Sequence, residues 1–297
     1  MKKNVRFTGF VFVLIAVWII SDVFLTFTDP VSHSAYFPKN DFEITKMKHP
    51  EKVWDKVFYG SSVVVNSYIE EESGSGYYNL GISYGTVSDI YEMIEKKYIT
   101  VGSELVIGLN DVTFVDWLDT NPTYPWHKKW YQHYVYFRRD NICPFLKDAF
   151  SNVMAKKNPF AEPLYTNPGK LYVYGALSDE ELEKSNESML ERFGGCTVDK
   201  DCRKNFADLE KLIKICKKKN IRLRAVWMPW NPSVEVYDFA KQVQARANEI
   251  FDKNGIEVLD MTNAMAKECF YDIGHMDYGW GASQFTKKIE PFLTEGK

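Results

Sequence analysis

The sequence predicts an α/β fold: a three-layer arrangement in which a parallel sheet carries helices on both faces, with a transmembrane helix in front of it. Two observations lead to this prediction. Short apolar runs alternate with segments of helical periodicity from residue 56 to residue 293, and this alternation is typical of parallel sheets. The chain also opens with an apolar stretch that is long enough to cross a bilayer as a helix.

The N-terminal stretch predicts an uncleaved membrane anchor. Residues 7–21 carry no charge, and after Asp22 the apolar character resumes through Phe27. Lysine and arginine precede the stretch at positions 2, 3 and 6, which places that end in the cytoplasm. Asp22 lies near the far end, where its charge is expected to reach the interface. A cleavable signal peptide is the alternative, but no small-x-small site precedes residues 29–30, so an anchor is favoured.

Composition predicts one folded domain behind the anchor. The 297 residues are 45% hydrophobic and 26% charged, which is ordinary for a globular domain with a sizeable core. Without the three basic residues at the N-terminus, 34 basic residues face 40 acidic ones, a net charge of −6. Such a surface does not predict nucleic-acid binding. We therefore expect residues 1–30 to be a cytoplasmic stub and anchor, and residues 31–297 to be one extracytoplasmic domain.

The elements follow from periodicity and from stop signals. Apolar runs predict strands, and apolar positions three and four apart predict helices. The predicted strands are residues 56–59, 77–82, 104–109, 171–175, 221–228 and 256–261, and the predicted helices are residues 63–71, 87–99, 205–219, 234–254 and 284–293. In parallel sheets, binding sites form at the carboxyl ends of the strands. Ser62, Tyr84 and Asn110 each follow a predicted strand, so they are expected to meet at one edge.

Three short segments carry the chemistry of an esterase. Residues 60–62 (Gly-Ser-Ser) place a serine on a turn after an apolar run, residues 108–111 (Gly-Leu-Asn-Asp) place an asparagine after another, and residues 272–275 are Asp-Ile-Gly-His. A serine attacks a carbonyl only when a base takes its proton. Histidine is the usual base, and a carboxylate fixes its tautomer. An asparagine amide can stabilise the oxyanion that forms.

The order of these segments resembles the SGNH (GDSL-type) hydrolases, whose four blocks carry Ser, Gly, Asn and His. Residues 60–62 are similar to the first block, with Ser62 at the nucleophile position, and residues 79–86 are similar to the second. The resemblance implies a catalytic Ser62, His275 and Asp272. It also implies an oxyanion hole formed by the backbone of Ser62, the backbone of Tyr84 or Gly85, and the side chain of Asn110.

Within that superfamily the layout resembles the DltD-like proteins, which share an N-terminal anchor and a Gly-Ser-Ser first block. The resemblance implies a membrane-anchored serine acyl-ester hydrolase or acyltransferase. Its expected substrate is a cell-envelope polysaccharide or teichoic-acid-like polymer that carries D-alanyl or O-acetyl esters. Two alternatives are a catalytically silent accessory protein docked on a membrane-bound O-acyltransferase, and a lipase or thioesterase. No cofactor, metal or nucleic-acid partner is expected.

An aromatic-rich insertion at about residues 111–170 interrupts the strand-helix alternation. Three readings stay open: a lid over the site, a helical cap packed on the sheet, or a membrane-facing patch. The five cysteines are too few for a disulfide framework in a chain of this length. Cys196 and Cys202 are candidates for a local bridge or for free thiols, and Cys143, Cys216 and Cys269 are expected to be free and buried.

Overall fold

A computed structural model of the chain describes residues 2–31, 40–118, 120–121, 123–139, 142–159 and 172–295. The chain divides into two compact units. The anchor unit is Met1–Asn40 with Pro122–Pro168, and the sheet unit is Asp41–Asn121 with Gly169–Lys297. The predicted insertion is therefore divided between the units at residue 121, and the extracytoplasmic placement of residues 31–297 stays a prediction.

The sheet confirms the predicted α/β class. Among the described residues five strands pair in parallel in the order β2-β1-β3-β4-β5: β1 Trp54–Gly60, β2 Tyr77–Gly81, β3 Val101–Leu109, β4 Arg222–Trp227 and β5 Glu257–Asp260. This is the flavodoxin-like order. The second strand is added on one side of β1, and β3, β4 and β5 are added on the other side. The predicted sixth strand is wrong, because residues 172–175 form no strand and Leu171 lies outside the described residues.

Each unit has its own helices. The anchor unit contains α1 Lys2–Thr28 and α5 Ile142–Met154; the sheet unit contains α2 Asp41–Lys48, α3 Ser62–Val65, α4 Val87–Glu95, α6 Asp179–Phe193, α7 Val198–Asp201, α8 Arg203–Lys219, α9 Asp238–Asn254 and α10 Gly281–Thr294. The sequence did not predict α5 or α6. A Ser178–Glu181 capping box does mark the start of α6, and this pattern is a recognised helix signal.

The helix after β1 is shorter than predicted. Helical structure was expected over residues 63–71, but α3 ends at Val65. Three consecutive valines are poor helix formers because their branched side chains lose rotamer freedom. The side-chain amide of Asn66 then donates to the carbonyl of Ser62 at 3.0 Å, which satisfies one end of this single turn.

Apolar side chains cover both faces of the sheet. Phe58 and Val226 point to one face and pack in a cluster with Phe285 of α10. Val57 and Leu105 alternate with them along the strands and are fully buried as well. Strands buried on both faces explain the nearly continuous apolar runs in the sequence. Burial of each such side chain contributes roughly 1.5–3 kcal/mol.

In the anchor unit, α1 is long and apolar enough to cross a membrane. Its span Phe7–Thr28 has 22 residues and a mean hydropathy of 2.5, and its large apolar side chains are exposed. Asp22, by contrast, is only 6% exposed. Its carboxylate accepts hydrogen bonds from the backbone N–H groups of Tyr136 at 3.2 Å and Phe137 at 3.5 Å. These backbone donors, rather than interfacial water alone, satisfy the charge.

Further contacts hold the same segment to the end of α1. Arg139 pairs with Asp29 at 2.8 Å and donates to the carbonyl of Thr26 at 3.1 Å. The rings of Trp18 and Phe137 lie 5.5 Å apart. Residues 134–139 are therefore fastened to the last three turns of the apolar helix.

We expect Asp22→Leu to loosen this segment. The substitution removes the acceptor of two backbone N–H groups, and an unpaired buried polar group costs about 1–3 kcal/mol. Limited trypsin digestion in detergent should then cut at Arg138 and Arg139 faster than in the wild-type protein. Ser21→Leu is the control, since Ser21 is exposed on the same helix. Cleavage of Asp22→Leu at the wild-type rate would show that the carboxylate does not hold the segment.

Candidate active site

The turn after β1 presents Ser62 to His275. Ser61 is the N-cap of α3, and its buried hydroxyl accepts a hydrogen bond from the N–H of Val63 at 3.4 Å. Ser62 is the first residue of that helix, and its Oγ lies 2.8 Å from Nε2 of His275. Of the two neighbouring serines, Ser62 therefore has the base as its partner, and Ser61 has a capping role.

Asp272 fixes the orientation of His275. Oδ2 of Asp272 lies 2.8 Å from Nδ1 of His275, and Oδ1 accepts from the backbone N–H of Gly274 at 2.9 Å and of His275 at 2.8 Å. Burial by itself raises the pKa of Asp272, but the hydrogen bonds and the charge of His275 outweigh burial and lower this pKa below its ordinary value. The carboxylate is thus ionised at neutral pH and accepts the Nδ1 proton, which leaves Nε2 to accept from Ser62.

A further residue, Asn231, holds the loop that carries this pair. Its backbone N–H donates to the carbonyl of Ile273 at 2.8 Å, and its side-chain amide donates to the carbonyl of Asp272 at 3.0 Å. The sequence pattern did not single out this role. Asn231 ends residues 228–231 (Met-Pro-Trp-Asn), which resemble a DltD segment, and it comes shortly after the carboxyl end of β4, where parallel sheets place functional loops.

Three hydrogen-bond donors lie around the serine without an internal acceptor. Within the part of the chain that the structure describes, the N–H of Ser62, the N–H of Tyr84 and the Nδ2 group of Asn110 have none. Oδ1 of Asn110 accepts from the N–H of Thr113 at 3.2 Å, so the other end of this amide, the donor, is left for a ligand. All three groups belong to residues that line one pocket with Ser62 and His275.

The structure favours Tyr84 over Gly85 as the second backbone donor. The N–H of Gly85 already donates to the carbonyl of Ile82 at 3.1 Å, whereas that of Tyr84 has no acceptor among the described residues. Tyr84 has a φ of +55°, a left-handed conformation that costs a non-glycine residue roughly 1–2 kcal/mol. The preceding N–H, that of Ser83, donates to Asp41 at 2.6 Å and anchors the turn.

The pocket around these groups has a volume of about 290 Å³. One wall consists of the strand-end residues, and α6 supplies another. Ser185, Ser188, Met189 and Arg192 of α6 line the pocket at helical spacing of three and four residues. The sequence did not predict this contribution, because nothing in the local pattern of α6 shows which distant residues it faces.

The described residues contain no cluster of three His, Cys, Asp or Glu side chains placed to hold a metal ion. All five cysteines are free thiols, so Cys196 and Cys202 are not bridged in this structure. The expected burial of Cys216 and Cys269 is confirmed, whereas Cys143 lies exposed on α5.

Comparisons with known proteins add a weak similarity. No protein-family model and no curated protein sequence matches the chain. Among the solved structures, one that matches is a Bacteroides fragilis protein described as a candidate acylhydrolase, with 14% identity and a TM-score of 0.36 over 89% of this chain and 95% of that one. A similarity of this size carries no argument about activity, so the case for a function rests on the site itself.

The oxygen and the nitrogen of the Asn110 side-chain amide can be tested separately. Oδ1 of Asn110 caps the short 3₁₀ turn Asp111–Phe114. Asn110→Ala removes this acceptor and the amide donor, whereas Asn110→Asp keeps an acceptor for Thr113, removes the donor and adds a negative charge. We expect Asn110→Ala to lose about 0.5–2 kcal/mol of stability and Asn110→Asp to lose little. In an acyl transfer at Ser62, both variants should lower kcat by roughly 10²–10³. Urea unfolding and ester kinetics measure the two effects, and a wild-type kcat for Asn110→Asp would remove Asn110 from the oxyanion site.

Proposed function

We propose that the protein is a serine acyl-ester hydrolase or acyltransferase of the SGNH type. One observation carries this proposal: the Ser62, His275 and Asp272 side chains form a continuous hydrogen-bonded chain with two links of 2.8 Å. Ser62 shares one pocket with Tyr84 and Asn110, whose backbone N–H and side-chain amide have no acceptor among the described residues. Nucleophile, base, orienting carboxylate and oxyanion donors are the complete set that acyl transfer through serine needs.

The proposed reaction follows from these positions. Oγ of Ser62 attacks the ester carbonyl while Nε2 of His275 takes its proton. The negative charge that forms on the carbonyl oxygen is stabilised by the N–H groups of Ser62 and Tyr84 and by Nδ2 of Asn110. The tetrahedral intermediate then expels the alcohol, which receives the proton from His275, and leaves an acyl-Ser62 ester. Water completes hydrolysis, or a second hydroxyl group completes transfer, through the same base.

Asp272 stays ionised throughout this cycle and stabilises the imidazolium. Its lowered pKa supports that role, because a carboxyl group that was protonated could not hold the Nδ1 proton of His275. Asn231 keeps the Asp272–His275 loop in place through two hydrogen bonds to backbone carbonyls, so it is a positioning residue in this proposal.

The finer proposal concerns place and substrate. We propose that α1 anchors the protein in a membrane and that the sheet unit acts outside the cytoplasm on a D-alanyl or O-acetyl ester of a cell-envelope polymer, beside a membrane-bound O-acyltransferase. The exposed apolar span of α1 supports the anchor. Its own unit adds support, since Leu146, Phe150, Val153 and Met154 form an exposed apolar stripe on α5, and Trp130 and Tyr134 are also exposed. Aromatic side chains of this kind are enriched at membrane interfaces.

Ser62→Ala should abolish ester hydrolysis, whereas Ser61→Ala should keep most of it. Removal of the nucleophile closes the covalent path and typically costs several orders of magnitude in rate. Ser61→Ala loses only a cap, which costs about 1 kcal/mol of stability. The test is to label the purified full-length protein with a fluorophosphonate and to measure its hydrolysis of short-chain 4-nitrophenyl esters. A folded wild-type protein that neither reacts nor hydrolyses would favour the silent accessory protein instead.

The anchor makes a topological prediction. A cysteine at position 184 should react with a membrane-impermeant maleimide on whole cells whose outer barrier has been opened, because positive residues at the N-terminus keep that end inside. Lys184 is exposed on α6. The variant Lys184→Cys needs Cys143 and Cys196 replaced by serine, since the other three cysteines are buried. Labelling that requires lysis of the membrane would contradict the extracytoplasmic placement.

A further inference from the structure

Arg192 brings an uncompensated positive charge into the pocket of Ser62. It lies in the last turn of α6, is exposed, and lines the same pocket as Ser62 and His275. Within the described residues its guanidinium group has no hydrogen bond and no carboxylate within ion-pair distance. The chain as a whole has a net charge of −3, so this local charge does not follow from a basic surface.

Aromatic rings hold the guanidinium group in place. Its central carbon lies 5.9 Å from the ring centre of Tyr84, 5.6 Å from that of Trp117 and 5.1 Å from that of Phe193. These distances are within the range of cation–π contact. Trp117 and Phe193 also stack on each other at 5.6 Å. Stacked faces leave the edge of a guanidinium group, with its N–H donors, open to a planar or tetrahedral anion.

Neither of the two acidic residues of the pocket forms an ion pair with Arg192. Asp272 already accepts three hydrogen bonds from Gly274 and His275. Asp111 is buried and accepts a hydrogen bond from the hydroxyl of Tyr237. Burial raises the pKa of Asp111 and outweighs this hydrogen bond, which lowers it. A positive charge near the nucleophile is therefore left for a ligand.

From this arrangement we infer that the pocket selects esters that carry a carboxylate or phosphate group close to the scissile bond, and that Arg192 binds this anion. The inference rests on the proposed function for the ester, and on the pocket geometry for the anion. The negative group can belong to the acyl part or to the alcohol part of the substrate. Arg192 is a specificity-determining residue in either case, because it contacts the substrate away from the reacting atoms.

The test compares matched pairs of esters. The acyl arm uses 4-nitrophenyl hemisuccinate and its neutral methyl ester, and the alcohol arm uses 4-acetoxybenzoate and its neutral methyl ester. We expect the wild-type enzyme to prefer the anionic member of one pair, and Arg192→Gln to lower the anionic-to-neutral ratio of kcat/KM for that pair about tenfold or more. That size is ordinary for a hydrogen bond to a charged group. Arg192→Lys should lie between the two, because it keeps the charge and loses the planar donor geometry.

Lys184→Gln is the matched control, since it removes another positive charge from α6 at a residue outside the pocket. Its ratio should equal that of the wild-type enzyme. An unchanged ratio in Arg192→Gln, or a ratio that falls equally in Lys184→Gln, would overturn the inference. An equal loss for both members of a pair would also overturn it, because Arg192 would then be structural.

A binding measurement separates this inference from the proposed function. Titration calorimetry of Ser62→Ala protein with succinate and with glycerol phosphate requires no catalysis. We expect binding of one of them, weakened about tenfold or more when Arg192→Gln is added. Anion binding that depends on Arg192, together with a folded wild-type protein that hydrolyses none of the esters, would leave the anion site standing and remove the hydrolase. No binding of either anion, together with equal rates on both members of each ester pair, would remove the anion site and leave the hydrolase.

Discussion

The site depends on a row of three glycines that lets α3 lie close against the sheet. Gly81, Gly60 and Gly108 pair in register across β2, β1 and β3. A Cβ atom at Gly60 would stand 2.3 Å from a methyl group of Val64, and one at Gly108 would stand 2.4 Å from the same group. Because real Cβ contacts are never this short, any side chain at either glycine would lift the helix and move Ser62 away from its partners.

This close approach turns the start of a helix into the centre of the site. The first N–H groups of a helix have no internal acceptor, and here Ser62, the first residue of α3, lines one pocket together with Tyr84 and Asn110. The reversal of chain direction between β1 and β3 brings these strand ends together. In the proposed reaction these donors are in position before an ester binds, so little reorganisation is needed when negative charge develops.

Strand-end positions, together with the resemblance to the SGNH blocks, picked out side chains that the structure brings together around Ser62. Ser62 and Asn110 each come after an apolar run, and Asp272 and His275 are close enough in sequence for one loop to join them. No local pattern indicates what Asn231 and Arg192 contribute. Apart from neighbours on the same element, each contacts residues that are 40 or more positions away in the sequence. The partners of Asp22 are likewise more than 100 residues away. The short length of α3, by contrast, is indicated by its local sequence. Three consecutive valines followed by Asn66 favour a single helical turn, so the predicted helix at residues 63–71 was too long.

The conformation of Tyr84 connects the oxyanion donor with the proposed anion site. Glycine would adopt a φ of +55° without strain, yet tyrosine occupies this position at a cost of roughly 1–2 kcal/mol. The backbone N–H of Tyr84, a residue that lines the pocket, has no acceptor in the described part of the chain, and its half-exposed ring lies against the guanidinium group of Arg192. A glycine at this position could supply the N–H group but not the aromatic ring. The strain at Tyr84 is therefore explained only if its aromatic ring is needed in the pocket. The proposal for Arg192 gives the ring this role.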